Sequence, residues 1–459
     1  MNMETKQVES VGGPIMTHFS STQSPYTPHT PADVESMLLD LGLQSIEELF
    51  DIPPSIQFTD SFKIPPRSES EVKTEMKEIF EKNLPLIEFL GHGYYSHYIP
   101  SIVDHISDRS EFLTSYTQYQ PEISQGFLQV LFEYQSLIVE LTGLKIANSS
   151  MYDFATSIGE AALLSGRISP NRTKILVPDI LRPERLSVLK NYTSNSGFKI
   201  ESYPTYHSNT DVDELSNMVS KDVSMVYVES PNSHGSLEES IEEIAKISHE
   251  SGSLCCLGTD PVALSVLESP SALGVDIVVG DASVLGLPNA YGMGIGLFAC
   301  RSEYLRKVPG RLVGITKDAN NRRAYTLTLQ TREQHIRRER ATSNICTNQA
   351  WVALRTAIHA AYLGPQGLVD LAKQCIDLPL ELSSKLNNIE GVQSPLYSRY
   401  HFREFVVGTE KKALDVVHSL ETKGYAVSAI NDHELLICIT DTNSSHLNAF
   451  VDAFKEAVL

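Results

Sequence analysis

The most informative absences in this 459-residue sequence concern membrane spans, export signals and reactive cysteines. No apolar run approaches the roughly 20 residues that a transmembrane helix needs, and the first 25 residues lack a basic-then-apolar signal pattern. The six cysteines form no CxxC pair and mostly lie in apolar runs such as Leu254–Leu257, so we expect buried, reduced thiols. These absences favour a cytoplasmic protein.

Positive charge is also scarce, since 37 Lys and Arg residues face 57 Asp and Glu residues and give a net charge of -20. A general nucleic-acid binder needs a basic face to neutralise phosphates, so that class is disfavoured. The sequence contains no Walker loop and no nucleophile elbow, and no metal motif accompanies His335. What remains is a globular chain long enough for an enzyme-sized core.

The central part of the chain alternates strand-like and helix-like patterns. Amphipathic stretches such as Leu237–Ser251 separate five β-rich apolar runs: Lys174–Val177, Val223–Glu229, Ser253–Leu257, Val275–Val279 and Ile295–Cys300. This alternation predicts an α/β fold with a mostly parallel central sheet and helices on both faces. Such sheets bind ligands beyond the carboxyl ends of their strands.

The patterns at the two ends of the chain predict the domain organisation. Thr30 and Asp33 form a capping box, Gly42 ends that helix, and Ser45 with Glu48 repeats the capping signature. We expect four regions: a disordered extension over residues 1–25, an N-terminal helical arm and active-site loop over 26–115, a large α/β domain over 116–340, and a small C-terminal α+β domain over 341–459.

Asp260 directly follows an apolar strand, where an acidic residue can hold the cationic ring nitrogen of a pyridoxal-phosphate cofactor. The Asp260-Pro261 pair is equally typical of a plain turn. A pyridoxal-phosphate enzyme of this layout also needs a nearby lysine for the internal aldimine. No lysine occurs between Lys246 and Lys307, so the chain is not a self-sufficient enzyme of that kind.

Three further segments are polar enough to contact ligands. Tyrosines and histidines crowd the Gly-rich loop 91–100, and amides crowd segment 116–126; each predicts either a pocket wall or a packed loop. Residues 301–340 hold eleven Lys and Arg against four Asp and Glu. Guanidinium groups suit anion recognition, although ion-pair surfaces have the same composition.

The sequence resembles the two-subunit glycine dehydrogenases (decarboxylating), the P-proteins of the glycine cleavage system, and among them subunit 1. The resemblance covers nearly everything after the extension. The motifs that carry it are Tyr26–Thr30, His97–Pro100, Tyr119–Gly126, Pro309–Gly314 and Thr328–Thr347.

This resemblance implies a fold-type-I, aminotransferase-like pyridoxal-phosphate fold and an α2β2 heterotetramer. Only subunit 2 would carry the aldimine lysine, which falls approximately opposite Val284 here, and Asp260 would be vestigial. Phe154 stands where the family usually has glycine and would block a phosphate cup. The assembly would decarboxylate glycine, release CO2 and transfer the aminomethyl group to the lipoyl arm of H-protein.

The same resemblance suggests which residues serve a site shared with subunit 2. The candidates for catalysis are Tyr94, Tyr95, His97 and Glu122, and those for substrate or anion contacts at the interface are Tyr98, Thr117, Gln120, Arg332, His335 and Arg338. A non-catalytic scaffold that stabilises subunit 2 and docks H-protein is the alternative. The missing lysine disfavours a stand-alone pyridoxal-phosphate enzyme.

Overall fold

The structure is a computed structural model, and it divides into two compact units, residues 1–83 and 84–459. No helix in its described part is both long and apolar enough to cross a membrane. The residues it describes are 29–53, 55–56, 67–93, 95–113, 118, 120–288, 294–347, 349–397 and 400–459.

The first unit contains helices α1 (Pro31–Leu41) and α2 (Glu69–Phe80). The predicted capping box is confirmed, because the Thr30 and Asp33 side chains each accept a backbone hydrogen bond from the other residue, and Gly42 ends α1 with φ of 73°. The repeated capping signature at Ser45 and Glu48 gives only a short 3-10 turn, Ile46–Leu49, and the Ser45 side chain does not cap it. So short a segment cannot repay the cost of nucleating an α-helix without tertiary packing.

In the second unit, the helix Gln125–Thr142 buries Leu131, Tyr134 and Ile138 on one face, and Gly143 ends it. The helix Ala350–Leu386 is kinked at Gly364, which has φ of 64°. The helices are α3 (Ser101–Ser107), α4 (Ser110–Leu113), α5 (Gln125–Thr142), α6 (Phe154–Ile168), α7 (Pro183–Thr193), α8 (Val212–Met218), α9 (Ile241–Ser251), α10 (Ser283–Gly286), α11 (Ala350–Leu386), α12 (Ala413–Thr422) and α13 (Leu447–Val458).

The five predicted strands are all present within a larger set. The strands of the second unit are β1 (Ile87–Glu88), β2 (Ile146–Ala147), β3 (Lys174–Pro178), β4 (Lys199–Tyr203), β5 (Thr205–Tyr206), β6 (Asn209–Thr210), β7 (Val223–Ser230), β8 (Leu254–Thr259), β9 (Ile277–Asp281), β10 (Gly296–Cys300), β11 (Leu312–Lys317), β12 (Arg323–Thr328), β13 (Val392–Gln393), β14 (Glu404–Thr409), β15 (Tyr425–Ala426), β16 (Ser428–Ala429) and β17 (Glu434–Cys438).

Seven of these strands form the central sheet, in the order β2-β10-β9-β8-β7-β3-β4. β10 is antiparallel to both of its neighbours, and the strands from β9 to β4 are parallel. Glu229 pairs with Gly258, and Thr259 pairs with Gly280, so the carboxyl ends of β7, β8 and β9 lie level with one another. The predicted mostly parallel sheet is confirmed.

The C-terminal lobe is built on a second, four-stranded antiparallel sheet in the order β13-β14-β17-β16. Its apolar face packs on α12 and α13 around Phe405, Leu435 and Phe450. Residues 301–340, called the basic segment below, also contain a hairpin of β11 and β12. The hydrophobic pattern of the sequence did not predict this hairpin. The start of β14 faces the central sheet. This placement brings residues of the C-terminal lobe close to the carboxyl ends of the central strands.

Candidate functional site

A crevice of about 360 Å³ lies at the carboxyl ends of β7, β8 and β9. This is where an open α/β sheet binds its ligands, and the volume is at the lower end of the range typical of small-molecule pockets. Six of the residues that line it matter most for its chemistry: His92, Tyr95, Phe154, Arg182, Asp260 and Val284.

Asp260 follows β8 at the base of the crevice, and its carboxylate is ion-paired with Arg403 from the C-terminal lobe. Nη1 of Arg403 donates to Oδ2 of Asp260, and Nη2 donates to Oδ1 at 3.2 Å. The Arg403 side chain is 1% exposed. The chain therefore neutralises Asp260 with its own guanidinium.

Glu404, the next residue, ties the Gly-rich loop to the large domain. Its Oε1 accepts hydrogen bonds from the Tyr95 hydroxyl at 2.5 Å and from Nη2 of Arg182 at 3.0 Å, while its Oε2 accepts one from the backbone N–H of His92 at 2.8 Å. A Cβ at Gly91 would collide with this carboxylate, which explains a glycine there. Burial and the Glu404 charge raise the pKa of Tyr95 well above its usual range, so the phenol stays protonated.

A third internal ion pair lies on the opposite wall. Nη1 of Arg185 donates to Oε1 of Glu229 at 2.8 Å, and the Tyr227 hydroxyl donates to the same oxygen at 2.6 Å. The Arg185 guanidinium also lies 3.9 Å from the centre of the Phe154 ring, a cation–π contact. Phe154 is thereby held against the crevice wall at the beginning of α6.

The structure brings only some of the predicted site residues together. Tyr95, Asp260 and Val284 line the crevice. His97 is buried nearby, with Nδ1 2.6 Å from Oδ1 of Asp441, and burial lowers the pKa of its imidazole. Tyr98 is 68% exposed and turned outward. Tyr94 and Thr117 lie outside the described residues.

The remaining candidates lie away from the crevice. Gln120 and Glu122 are exposed at the 3-10 turn that precedes α5. Arg332 is 8% exposed, and its guanidinium donates to the backbone carbonyl oxygens of Val308 and Gly310. His335 and Arg338 lie at the surface.

Sequence reasoning missed four charged residues: Arg182 and Arg185, which line the crevice, and Arg403 and Glu404, which pair with residues that line it. The only local signal was a charged Arg403-Glu404 pair at the entrance to an apolar strand. Charged residues are rarely buried without a partner, so this pair predicted that partners exist without identifying them.

Comparison with known proteins identifies the family of this chain. A profile described as "Glycine cleavage system P-protein" matches residues 24–454. The chain belongs to the glycine cleavage system P-protein family. A probable glycine dehydrogenase (decarboxylating) subunit 1 of Halobacterium salinarum is 52% identical over 94% of this chain and 99% of its own length. Its namesake in Pyrococcus furiosus is 44% identical over the same shares.

Solved structures agree with this family and define the fold. The inhibitor-bound crystal structure of a glycine decarboxylase (P-protein) of the glycine cleavage system superposes with a TM-score of 0.87 at 38% identity, covering 95% of this chain and 100% of that one. A sphingosine-1-phosphate lyase of Burkholderia pseudomallei matches at 0.64 and 15% identity, over 88% of this chain and 94% of the lyase. The fold is that of the fold-type-I pyridoxal-phosphate-dependent enzymes.

The crevice of this P-protein family member does not fit the cofactor that the fold implies. Val284 is 3% exposed on the wall and cannot form an aldimine, and no lysine is among the described residues that line the crevice. Helix N-termini bind phosphates, but the Asp153 carboxylate already caps α6 by accepting from the Thr156 N–H at 2.7 Å. Asp260 is occupied by Arg403.

Proposed function

We propose that this chain is subunit 1 of a two-subunit glycine decarboxylase, and that pyridoxal phosphate is bound by a lysine of subunit 2. The observation that carries the proposal is the crevice itself, which has the fold-type-I position but has Val284 and an Arg403-paired Asp260 in place of free cofactor ligands. The identity to subunit 1 proteins, 52% and 44%, supports it.

The complete assembly would decarboxylate glycine, release CO2 and pass the aminomethyl group to the lipoyl arm of H-protein. Pyridoxal phosphate bound to subunit 2 supplies the electron sink for this reaction. The contribution of this chain is the wall that it presents to subunit 2 in an α2β2 heterotetramer.

The predicted site residues fall into two groups according to whether their side chains are exposed or point inward. Tyr98 is 68% exposed, and Gln120, Glu122 and Arg338 are also exposed, so these side chains can reach a partner subunit or its substrate. Tyr95 points inward to Glu404. His97, bonded to Asp441, is buried, and we assign both Tyr95 and His97 to bracing the loop that carries Tyr98.

A non-catalytic scaffold is the second candidate, and the ion pairs of the crevice favour it. Three arginines, Arg182, Arg185 and Arg403, are each paired with a carboxylate of this chain. A subunit whose charges are satisfied internally can stabilise subunit 2 without touching glycine.

Reconstitution separates the two candidates. The chain is mixed with the lysine-bearing subunit and lipoylated H-protein, and exchange between the glycine carboxyl group and labelled bicarbonate is measured. We expect exchange only when both subunits are present. Glu122→Gln should lower the exchange rate without changing assembly. Glu133→Gln, at an exposed carboxylate of α5, is the matched control. Full exchange by subunit 2 alone would refute the proposal. Normal exchange rates for both single variants, Glu122→Gln and Tyr98→Phe, would favour the non-catalytic scaffold.

A further inference from the structure

The carboxylate of Asp260 occupies the place where a fold-type-I enzyme pairs an acidic residue with the cationic ring nitrogen of its cofactor. We propose that Arg403 determines the specificity of this crevice against pyridoxal phosphate: its guanidinium stands in for the cationic ring. The consequence is that returning a lysine to position 284 does not by itself restore cofactor binding.

The Arg403 guanidinium engages both oxygens of the Asp260 carboxylate. Oδ1 accepts from the backbone N–H groups of Val262 at 2.8 Å and Ala263 at 3.2 Å, and Arg403 donates to both oxygens. A carboxylate offers about four acceptor positions, two on each oxygen. Three donors meet Oδ1, and the donor on Oδ2 is the Arg403 guanidinium, so a pyridinium would have to compete with that guanidinium for Oδ2.

The backbone that carries Arg403 is fixed by hydrogen bonds to both sides. Its own N–H donates to the carbonyl of Cys375 at 2.7 Å, and its carbonyl accepts from the N–H of Ile439 at 2.9 Å. The preceding residue, Phe402, donates its N–H to the carbonyl of Gly235 at 2.9 Å, which fastens the strand entrance to the large domain. The backbone at Arg403 has φ of 58°, in the left-handed region.

The surroundings of the guanidinium also suit a planar cation. The centres of the Tyr95 and Phe402 rings each lie 4.9 Å from the guanidinium carbon. Aromatic faces attract cations, and arginine in particular. Arg403 is therefore stabilised by a carboxylate and two rings, and withdrawing it from Asp260 would leave a buried charge on each side.

Phe154 is an independent obstacle, because it lines the same crevice at the beginning of α6. The experiment must remove this obstacle in every variant, so that Arg403 is the single difference. The comparison is between Phe154→Gly/Val284→Lys and the same protein with Arg403→Met added, each as the lone chain without subunit 2.

Both proteins are incubated with pyridoxal phosphate, reduced with borohydride and mapped by mass spectrometry. The introduced amine condenses with the aldehyde and releases water, and borohydride reduces the imine to a stable amine at position 284. We expect at least about tenfold more label there when Arg403 is replaced, the effect of roughly one lost charge-assisted hydrogen bond. Equal labelling of the two proteins, whether high or absent, would overturn the proposal.

A matched control tests whether any buried arginine would give the same result. Arg311 is 2% exposed, is ion-paired with Glu333 and does not line the crevice. Arg311→Met in the same background should leave the labelling at position 284 unchanged. An equal gain from Arg311→Met would mean that loosening the protein, rather than freeing Asp260, admits the cofactor.

A stability cycle keeps the proposal falsifiable if the labelled variants fold poorly. Arg403→Met in the otherwise unchanged chain should lower the denaturation midpoint because Asp260 is left charged and buried. Asp260→Asn added to it should restore at least half of that loss. If the double variant is no more stable than Arg403→Met alone, Arg403 does not serve to neutralise Asp260. None of these measurements uses subunit 2, so they stand apart from the test of glycine decarboxylation.

Discussion

The crevice and the basic segment around Arg332 both contain buried arginines, but they use them differently. In the crevice, Arg182 and Arg403 pair with carboxylates that come from the other lobe. In the basic segment, Arg332 donates to backbone carbonyls of a turn only 22 to 24 residues away. Buried charges in the crevice therefore join two lobes, whereas Arg332 shapes one loop.

This difference bears on how arginine-rich sequences are interpreted. The excess of positive charge in residues 301–340 suggested an anion site, yet Arg332 inside it is committed to backbone carbonyls. The crevice, with no such excess in sequence, has the buried ion pairs that join the two lobes, whereas the buried pair of Arg311 and Glu333 stays within the basic segment. Local composition identified neither role, because the partner and the burial of each guanidinium depend on the fold.

The largest expected effect comes from removing the carboxylate that joins the two lobes. Glu404→Ala leaves the Arg182 charge buried and takes the acceptor from Tyr95 and from the His92 N–H. We expect the free energy of unfolding to fall by about 3–5 kcal/mol, measured by urea denaturation. Glu410→Ala, at an exposed carboxylate of the same lobe, should change it by less than about 0.5 kcal/mol. A loss as small as that of the control would contradict the role of Glu404 as a link.

A pH-dependent effect is expected at Glu160, a fully buried residue of α6. Burial raises the pKa of its carboxyl from 4.5 to about 7, against a smaller opposing effect of Arg167. Since the folded-state pKa lies above the unfolded one, the stability contributed by the protonated form is lost as the pH rises from 4.5 through 7.

Replacing that carboxyl with an amide should remove this loss. Glu160→Gln should match the original chain below pH 4.5 and exceed its stability by about 3 kcal/mol above pH 7. Unfolding free energies measured from pH 4 to 8 would show the two curves diverging. If the two curves instead stay parallel across that range, ionisation of Glu160 does not lower the stability of the folded chain, and the prediction is wrong.

An intermediate effect is expected at Arg332. Arg332→Ala removes the donors to the Val308 and Gly310 carbonyls, so we expect a loss of about 2 kcal/mol of stability and a lower exchange rate in the reconstituted pair. Denaturation and the exchange assay are run on the same preparation. Unchanged exchange would remove Arg332 from the shared site, and impaired exchange at full stability would make it an anion contact after all.

The smallest stability effect is expected at Arg338, which is exposed in the same segment. Arg338→Ala should alter the free energy of unfolding by less than about 0.5 kcal/mol. If its guanidinium meets an anionic group at the subunit interface, glycine exchange by the pair should nevertheless fall several-fold. A normal exchange rate would leave Arg338 a solvated surface residue.

Much of the fold followed from sequence because its signals are local. The apolar runs predicted β7, β8, β9 and β10 to within two residues at either end, and Gly42 marked the end of α1. The sequence did not predict the edge strands β2 and β4 or the hairpin of β11 and β12. β2 is only two residues long, and β4 alternates charged and apolar residues without a fully buried run.

The sequence by itself determined that the chain is an α/β protein without a lysine near Asp260, and its motifs alone were enough to suggest the P-protein family. It also placed Asp260 directly after a strand. Only the tertiary structure decided what Asp260 does, because its partner Arg403 lies 143 residues further along the chain. Strand and helix periodicities report a residue's own surroundings, whereas a buried ion pair requires two lobes to fold against each other, and no local pattern records that contact.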